Sequence, residues 1–356
     1  MQNIVILIPS LKKGGAEKQA CFLAKALKNR YNISMIVLSP QAGMEQENIQ
    51  LSELSNDQIY KLNGSLPTKI CHIYRILKKI HPEFLFCYLT QPDLLGPIIG
   101  KLTGIKYIYQ GLRNTQLPPL KIFFEWIGNK FSTGSIINNY SGVGIFKRYG
   151  INNIVTIPNC YQSNNNTQSI ARKNSDITVI TVGRFVDQKD YPSAIASMAE
   201  AMKQNNHIRF KIIGHGYLEN SIYEMVNSYG ISDRTEILIN PKGIMQHLLD
   251  ADIYLSTSLF EGTSNSIMEA LDAYLPVVAT DVGDNKYLVK NNINGYLHSI
   301  GDTNSIANSI QKLSSSKDLR TRFGKEGHRI LFEDYSYETF QKRYFDLISS
   351  NLNETN

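Results

Sequence analysis

Short apolar runs rich in β-branched residues alternate along this chain with segments of helix length, and this alternation constrains the fold most strongly. Strands separated by helices join through crossover connections, so they form parallel sheets with helices on both faces. In the first part of the chain the predicted strands are Ile4–Ile8, Ile33–Leu38, Phe84–Tyr88, Tyr107–Tyr109, Ser135–Ile137 and Val155–Ile157. The predicted helices between them include Glu17–Asn29, Leu94–Thr103 and Leu120–Phe131.

The same alternation restarts after a polar segment, Tyr161 to Ser169, which has the composition of a linker. A chain of 356 residues is long for one domain, because single cores stop growing beyond roughly 250–300 residues. We therefore predict an α/β protein of two doubly wound domains, residues 1–165 and 166–335. The predicted strands of the second domain are Ile177–Val182, Arg209–Ile213, Glu236–Ile239, Ile253–Ser256, Val277–Ala279 and Gly295–Leu297.

Composition indicates a packed protein of the cytoplasm. Hydrophobic residues make up 42% of the chain and charged residues 19%, which is not the composition of a disordered segment. The N-terminal apolar run Ile4–Ile8 is too short for a secretory signal, and no segment approaches the roughly 20 apolar residues that span a bilayer. The four cysteines are scattered without the spacing of a zinc site or a disulfide framework, and they are Cys21, Cys71, Cys87 and Cys160.

Charge is distributed unevenly between the two halves. Residues 1–165 contain 18 Lys and Arg against 8 Asp and Glu, whereas residues 166–356 contain 19 against 23. A basic surface attracts anionic lipid headgroups at about 1 kcal/mol per cationic side chain. We therefore expect peripheral contact between the N-terminal half and the inner face of the plasma membrane. Nucleic acid is not an expected partner, since zinc-finger patterns, RNP patterns and long arginine-rich runs do not occur.

One predicted helix of the N-terminal half, within residues 118–131, mixes aromatic side chains with lysines. This composition is typical of a helix that lies in a membrane interface, although such a helix can also pack simply on the sheet. Lys78, Lys79 and His81 form a second possible membrane-contacting edge.

Two glutamates flank a turn of small residues after the predicted strand Ile253–Ser256. The backbone amides at the start of the helix that follows, together with its dipole, form a site for a phosphate. Glu269 on this helix can accept hydrogen bonds from ribose hydroxyls, and Glu261 before the turn can contact the group that the phosphate carries. The alternative is that both glutamates are ordinary surface charges. The turn and helix start that would contact the nucleotide sugar are Gly262, Thr263, Ser264 and Asn265.

An anionic diphosphate needs cations as well as amides, and two cations follow the predicted strand Ile177–Val182. Arg184 and Lys189 can each contribute roughly 1.5–3 kcal/mol through charge-assisted hydrogen bonds to a diphosphate. Otherwise they are loop charges without a ligand. Gly214 and Gly216 stand at another strand end, where glycine lets a ligand approach the backbone closely.

Two adjacent glycines, Gly14 and Gly15, follow the first predicted strand. They form either a simple entry turn into a helix or a point where the donor phosphate or the acceptor approaches the backbone. In the context of the other segments we favour the second interpretation.

These segments, in this order, resemble the retaining glycosyltransferases of family 4. The resemblance covers almost the whole chain and implies the GT-B fold, an α/β architecture of two Rossmann-like parallel-sheet domains that face each other across a cleft. It implies that residues 1–165 bind the acceptor, that residues 166–335 bind the nucleotide sugar, and that a last helix, about 336–356, packs back on the first domain. The matching motifs are Ser10 to Glu17, Ile157-Pro158-Asn159, Gly183-Arg184 with Lys189, and Glu261 and Glu269 with seven residues between them.

The same resemblance implies the reaction. A hexose or N-acetylhexosamine would pass, with retention, from a nucleoside diphosphate sugar to a lipid-linked or lipopolysaccharide-type glycan in surface polysaccharide biosynthesis. We expect UDP as the nucleotide, and neither a metal nor another cofactor. Arg184, Lys189 and the helix amides would stabilise the leaving diphosphate, and Glu261 would hold the donor sugar or the positive charge that develops on it.

The group that deprotonates the acceptor is less well defined by sequence. Many relatives carry a histidine after the fourth or fifth strand of the first domain, whereas this chain has Gln110 to Asn114 there. Asp93, in the predicted loop after Phe84–Tyr88, is our candidate, and an oxygen of the donor phosphate is the alternative. If Asp93 is not catalytic, it is a surface aspartate that merely starts a helix.

Other functions on a similar fold are distinguishable. A nicotinamide-dependent oxidoreductase would need a glycine fingerprint, but the segment beginning Gly214-His215-Gly216 lacks its third glycine. A GT-B sugar-nucleotide epimerase and a non-catalytic subunit that binds sugar nucleotides remain open alternatives.

Overall fold

A computed structural model shows that the chain forms two compact units. The structure describes residues 1–12, 14–40, 45–113, 118–163 and 176–353. The N-terminal unit comprises Met1–Cys160 and Ser336–Asn356, and the C-terminal unit comprises Tyr161–Tyr335. Most of the predicted linker, residues 164–169, lies outside the described residues, as do Lys13 and Asn114.

The N-terminal unit is built on a parallel sheet of seven strands in the order β3-β2-β1-β4-β5-β6-β7. Helices connect the strands, and the central strands are almost entirely buried because both faces of the sheet are covered. Its strands are β1 (Asn3–Ile8), β2 (Asn32–Val37), β3 (Ile59–Lys61), β4 (Phe84–Cys87), β5 (Tyr107–Leu112), β6 (Gly134–Ile137) and β7 (Ile154–Thr156). Its connecting helices are α1 (Gly15–Leu27), α2 (Gln46–Ser52), α3 (Leu66–Ile80), α4 (Thr90–Thr103), α5 (Pro119–Phe131) and α6 (Gly142–Arg148).

The C-terminal unit repeats this plan with a parallel sheet of six strands in the order β10-β9-β8-β11-β12-β13. Its strands are β8 (Ile177–Val182), β9 (Ile208–Gly214), β10 (Thr235–Ile239), β11 (Ile253–Ser256), β12 (Val277–Thr280) and β13 (Gly295–His298). Its helices are α7 (Tyr191–Gln204), α8 (Glu219–Ser228), α9 (Ile244–Leu249), α10 (Asn265–Asp272), α11 (Asn285–Leu288), α12 (Thr303–Ser314) and α13 (Lys317–Tyr335). The prediction of an α/β protein with two doubly wound parallel sheets is confirmed.

The last helix, α14 (Tyr337–Asn353), returns to the N-terminal unit and completes its core. Phe340, Tyr344 and Ile348 recur at helical spacing and are buried there. Polar contacts fix the position of the helix, because the hydroxyl of Tyr107 donates to the carbonyl oxygen of Asn351 at 2.6 Å. A segment remote in sequence therefore supplies part of the hydrophobic core of the first unit.

The order of strands positions the loops that carry the predicted site. In each sheet the chain reverses its direction of winding once, between β1 and β4 in the first unit and between β8 and β11 in the second. Ligands of open α/β sheets bind outside the carboxyl ends of the strands at such a reversal. The loops after β8 and β11 therefore occupy the position in their own unit where a ligand site is expected.

One strand was not predicted from sequence. β3 contains only three residues, Ile59–Lys61, and lies at the edge of the first sheet. Its short apolar signal is too weak for periodicity to reveal, since only Ile59 is buried. Within the described residues, the helices are all too short or too polar to cross a membrane.

Candidate functional site

Hydrogen bonds join the loops that follow β8 and β11 in the C-terminal unit. The amide of Leu259 donates to the carbonyl oxygen of Gln188 at 2.8 Å, and the side chain of Gln188 donates to the carbonyl oxygen of Phe260 at 2.8 Å. The hydroxyl of Thr257 donates to the carbonyl oxygen of Lys189 at 3.0 Å. These bonds hold Lys189 and the residues before α10 in one fixed arrangement.

Lys189 and Glu261 form a salt bridge at the centre of this arrangement. Lys189 Nζ lies 2.5 Å from Glu261 Oε1, and the two side chains are only 17% and 9% exposed. The hydroxyl of Ser258 donates to the same carboxylate oxygen at 2.8 Å. The stem of Lys189 passes over Gly183, where a Cβ atom would lie 3.2 Å from its Cε. The structure thus brings together the predicted phosphate cation and the predicted sugar-binding carboxylate.

The start of helix α10, where the sequence predicts an anion site, follows Glu261 closely in the chain. Ser264 is the N-cap, and its hydroxyl lies 3.2 Å from the hydroxyl of Ser266. The first amides of an α-helix have no acceptor within the helix, and its dipole favours negative charge there. Thr263 donates to the buried carboxylate of Asp284 at 3.3 Å. The hydrogen bond to Asp284 therefore holds the turn between Glu261 and Ser264 in place. Gly262 in this turn and Asn265 at the start of α10 are exposed to solvent.

Glu269 lies in the second turn of α10 and is half-buried. Burial raises the pKa of Tyr254 above its ordinary value, a hydrogen bond with Ser266 opposes the shift, and the charges of Glu269 and Glu261 add to it. Both glutamates therefore lie near the same tyrosine hydroxyl, which donates to the carbonyl oxygen of Val182 at 3.2 Å. Sequence reasoning did not include Tyr254, because a tyrosine inside a strand carries no local signal of this position.

Arg184 differs from Lys189 in being exposed to solvent. Its guanidinium lies 3.5 Å from Gln188 Oε1, at the limit of a hydrogen bond. The Lys189 charge is balanced by Glu261, whereas the Arg184 charge faces solvent. Of the two predicted cations, Arg184 is therefore the one available to an anion without breaking a salt bridge.

Gly214 and Gly216 pack on the loop after β8. A Cβ atom on Gly214 would overlap the carbonyl oxygen of Gly183, and one on Gly216 would overlap the carbonyl oxygen of Phe185. Gly216 also has a φ of +154°, which favours glycine. These glycines allow two strand-end loops to touch, so their observed role is to position the Arg184 loop.

In the N-terminal unit, Gly14 is the N-cap of α1 and has an extended backbone with a φ of −159°. A Cβ atom on Gly14 would overlap the carboxylate of Glu17, which is buried and lies 3.3 Å from the Ser10 hydroxyl. A Cβ atom on Gly15 would meet open space. The Glu17 carboxylate therefore folds back over the helix start at Gly14, whereas Gly15 leaves the first turn accessible.

Asp93 occupies a position that sequence reasoning described incorrectly. It lies in the first turn of helix α4 rather than in a loop, and it is fully buried rather than at the surface. The amide of Gly111 donates to Asp93 Oδ1 at 2.8 Å. Burial, together with the negative charge of Glu125, raises the pKa of Asp93 well above its ordinary value.

Glu125 on helix α5 was missed as a functional candidate. It is 2% exposed, and Gln110 donates to its Oε2 at 3.2 Å. Burial raises the pKa of Glu125 to about 7, against the opposing effects of Thr90, Gln110 and Lys121. The signal in the sequence was Gly128, one turn later in an aromatic-rich helix, because a glycine there indicates a close helix contact.

An Asp-x-Asp triplet, Asp250-Ala251-Asp252, was overlooked in the sequence. It precedes β11 and so lies at the amino end of the strand, away from the loops described above. Asp252 accepts from the amide of Thr178 at 3.0 Å and lies 3.8 Å from Arg320. The triplet therefore has a structural role in joining β11 to β8.

Comparison with known proteins assigns the C-terminal unit to a family. Residues 162–330 match the family model described as "Glycosyl transferases group 1". This part of the chain is a group 1 glycosyltransferase domain. The resemblance inferred from the motifs is confirmed at this level, and the loops around Lys189, Glu261 and α10 all lie within the matched residues.

Relatives of this glycosyltransferase extend over both units. The lipopolysaccharide core biosynthesis glycosyltransferase LpsE of Rhizobium meliloti is 22% identical over 95% of this chain and 97% of its own length. An Escherichia coli enzyme named UDP-Gal:alpha-D-GlcNAc-diphosphoundecaprenol alpha-1,3-galactosyltransferase is 25% identical over 69% of this chain and 70% of its own.

Solved structures show that the glycosyltransferase has the GT-B fold. Anabaena HepE in complex with UDP superposes with a TM-score of 0.81 over 98% of this chain and all of that one, at 17% sequence identity. The predicted fold class is therefore confirmed.

Proposed function

We propose that this glycosyltransferase transfers a hexose or N-acetylhexosamine, with retention, from a UDP-sugar to a lipid-linked or lipopolysaccharide-type glycan in surface polysaccharide biosynthesis. The observation that carries the proposal is the Lys189–Glu261 salt bridge, joined by hydrogen-bonded loops to the start of α10. Relatives that act on lipopolysaccharide core and on a diphosphoundecaprenol-linked sugar support the acceptor class. The UDP bound to HepE supports the nucleotide.

In this proposal the C-terminal unit binds the donor. Arg184, the first amides of α10 and Lys189 contact the diphosphate, and Glu269 accepts hydrogen bonds from the ribose. Glu261 contacts the donor sugar while it orients Lys189, because one of its oxygens already holds the ammonium. Charge that develops on the leaving diphosphate is stabilised by fixed cations and dipoles, so the proposed reaction requires no metal or other cofactor.

The N-terminal unit, with its C-terminal helix, binds the acceptor in this proposal. Asp93 accepts the proton of the attacking hydroxyl, and Gly15, next to Gly14, leaves the backbone at the start of α1 accessible to substrate. Burial raises the pKa of Asp93, so its deprotonated form is a stronger base than an exposed aspartate.

Peripheral membrane contact on the cytoplasmic side is part of the same proposal. Helix α5 exposes apolar side chains, and the rings of Phe123 and Trp126 stack with centroids 6.1 Å apart. Lys130 lies over the Trp126 ring at 5.1 Å, and Lys121 is exposed on the same helix. Aromatic and cationic side chains together suit the headgroup region of an anionic bilayer.

A ligand screen followed by a turnover assay tests the proposed reaction. We expect UDP and UDP-sugars to raise the unfolding temperature of the whole chain more than GDP-, ADP- and dTDP-sugars do. With the matching UDP-sugar and bacterial lipid extract, we expect UDP release that depends on the extract. Conversion of the sugar nucleotide without an acceptor would indicate an epimerase, and binding without turnover would indicate a non-catalytic subunit.

A further inference from the structure

A cavity of about 610 Å³ opens in the N-terminal unit between α4, α5 and the end of β5. Its walls are mainly apolar and include Leu94, Leu112 and Phe124, while Asp93 and Glu125 supply carboxyl groups. A mainly apolar cavity of this size with a few convergent polar groups is typical of a small-molecule site.

The two carboxyls are held together by a close crossing of helices. A Cβ atom on Gly128 would overlap the carbonyl oxygen of Asp93, so only glycine lets α5 approach α4 this closely. Glu125 lies one turn before Gly128 and therefore faces the same part of α4. The cavity wall thus contains two nearly inaccessible acids, at 0% and 2% exposure.

One oxygen of Asp93 lacks a hydrogen-bond partner within the described part of the chain. Oδ1 accepts from the Gly111 amide, but Oδ2 is buried and has no hydrogen-bond partner among the residues that the structure describes. Leaving such an atom unsatisfied destabilises the fold, because the atom has lost its hydrogen bonds to water without gaining another. An orphaned acceptor on a cavity wall is therefore explained if a donor group binds beside it.

Backbone strain marks the same cavity. Leu89 lines the cavity and has a φ of +71° with a ψ of 158°. Residues other than glycine rarely adopt this backbone conformation. Backbone strain of this kind destabilises the fold and is concentrated at ligand sites. Leu89 directly precedes α4, so its conformation sets where Asp93 lies.

The charges around the cavity indicate a neutral occupant. Two adjacent buried carboxyls cannot both ionise readily, because the negative charge of each disfavours ionisation of the other. Arg113, which also lines the cavity, supplies a compensating positive charge close enough to act on Asp93. A further anion or cation would upset this balance, whereas hydroxyl groups can donate to the carboxyl oxygens without adding charge.

We propose that this cavity binds a single neutral sugar ring, whose hydroxyls donate to Asp93 Oδ2 and to the carboxyl of Glu125 and whose apolar face packs on Phe124. The inference rests on the proposed function, in which this ring is the terminal sugar of the acceptor glycan. Glu125 then selects for a hydroxyl at the position that it contacts, because a site built for a hydroxyl rejects rings that lack it.

Ligand-observed NMR on the full chain without nucleotide tests this site. The probes are methyl glycosides of glucose, galactose, N-acetylglucosamine and N-acetylgalactosamine, with cyclohexylmethanol as a ring that lacks the hydroxyl set. We expect at least one glycoside to bind while cyclohexylmethanol does not. The isosteric changes Asp93→Asn and Glu125→Gln should each weaken that binding roughly tenfold or more, because each replaces an acceptor oxygen by an amide donor.

Two further variants separate loss of the site from loss of folding. Phe124→Ala removes an apolar wall without touching either acid and should also weaken the glycoside. Glu45→Gln changes a buried glutamate that pairs with Lys61 elsewhere in the unit, and should bind as the wild type does. Only variants whose UDP-induced rise in unfolding temperature equals that of the wild type are compared.

Two results would overturn the inference: no glycoside of the panel binds, or Asp93→Asn, Glu125→Gln and Phe124→Ala all leave binding unchanged. Either result can occur while UDP still stabilises the chain, which would leave the proposed transferase intact. Absence of any UDP effect on the wild type would instead contradict the proposed function.

Discussion

At the scale of single residues, the salt bridge between Lys189 and Glu261 determines how the donor loops behave. The two side chains are 72 positions apart and nearly buried, and Ser258 adds a hydrogen bond to the carboxylate. Buried pairs add little net stability, but removal of one partner leaves an uncompensated charge. The effect on stability of replacing either residue therefore depends on whether the other is present.

We predict that Lys189→Met lowers the free energy of unfolding by about 3 kcal/mol, because Glu261 is left buried without its cation. The double variant Lys189→Met with Glu261→Gln should recover most of this loss. Urea unfolding of the two single variants and the double variant measures the coupling. Lys203→Met, which breaks an exposed pair with Glu200 on α7, is the matched control and should change stability by less than about 1 kcal/mol. Additive effects at Lys189 and Glu261 would contradict the coupling.

Glu125 gives a prediction for pH dependence. Its pKa is about 7 in the folded protein against an ordinary 4.5, so between these values the folded state keeps a proton that the unfolded chain has lost. Its contribution to stability is therefore complete below about pH 4.5 and is lost as pH rises through about 7. A shift of this size corresponds to about 3 kcal/mol, distributed over the pair that it forms with Asp93.

Glu125→Gln should remove this pH dependence, since the amide does not titrate. We expect the stability of the variant relative to the wild type to increase between pH 5 and pH 8 in urea unfolding. The groups that act on the pair are Thr90, Gln110, Gly111, Arg113 and Lys121. If the free energies of unfolding of the wild type and Glu125→Gln change with pH in parallel, the pKa of Glu125 is not raised in the folded protein.

At the scale of elements, the crossing of α4 and α5 depends on one glycine. Because a Cβ atom on Gly128 would overlap the Asp93 carbonyl, Gly128→Ala must push the helices apart. We predict destabilisation of about 2 kcal/mol or more, although alanine favours helix formation. Thermal unfolding measures the effect.

Gly144 in α6 is the matched control, because a Cβ atom there meets no neighbouring atom within 4 Å. Gly144→Ala should stabilise the protein by up to about 1 kcal/mol through helix propensity alone. Equal effects at the two positions would contradict the close crossing.

At the scale of the whole molecule, the basic N-terminal half and the exposed aromatic face of α5 predict membrane binding. Replacement of Phe123 and Trp126 by serine should weaken association with vesicles that contain anionic lipid. Lys78→Glu with Lys79→Glu should weaken it in a manner that salt suppresses. Vesicle flotation at low and high salt measures both effects.

Tyr223→Ser, which changes an exposed aromatic side chain on α8 of the C-terminal unit, is the control for these variants and should bind as the wild type does. If the α5 variants float equally well, the aromatic face has another role.

Much of the fold was predictable because parallel strands covered on both faces appear in the sequence as continuous apolar runs. β8 and β11 have the bounds predicted for them. The edge strand β3 was not predicted, because only one of its residues is buried. Arg184 and Lys189 were placed at a strand end by the same local signal. Glu125 was missed because its lysine-rich and aromatic surroundings resemble those of a surface helix.

The sequence by itself determined which segments become strands and helices, and which charged side chains stand at the strand ends, because these features depend on local periodicity. Only the tertiary structure decided that Lys189 forms a salt bridge with Glu261 and that Asp93 shares a cavity wall with Glu125. It also decided that Gly214 packs against the loop after β8. Such contacts join residues far apart in the chain. They depend on strand order and on how closely helices cross, which side-chain packing of the whole unit controls.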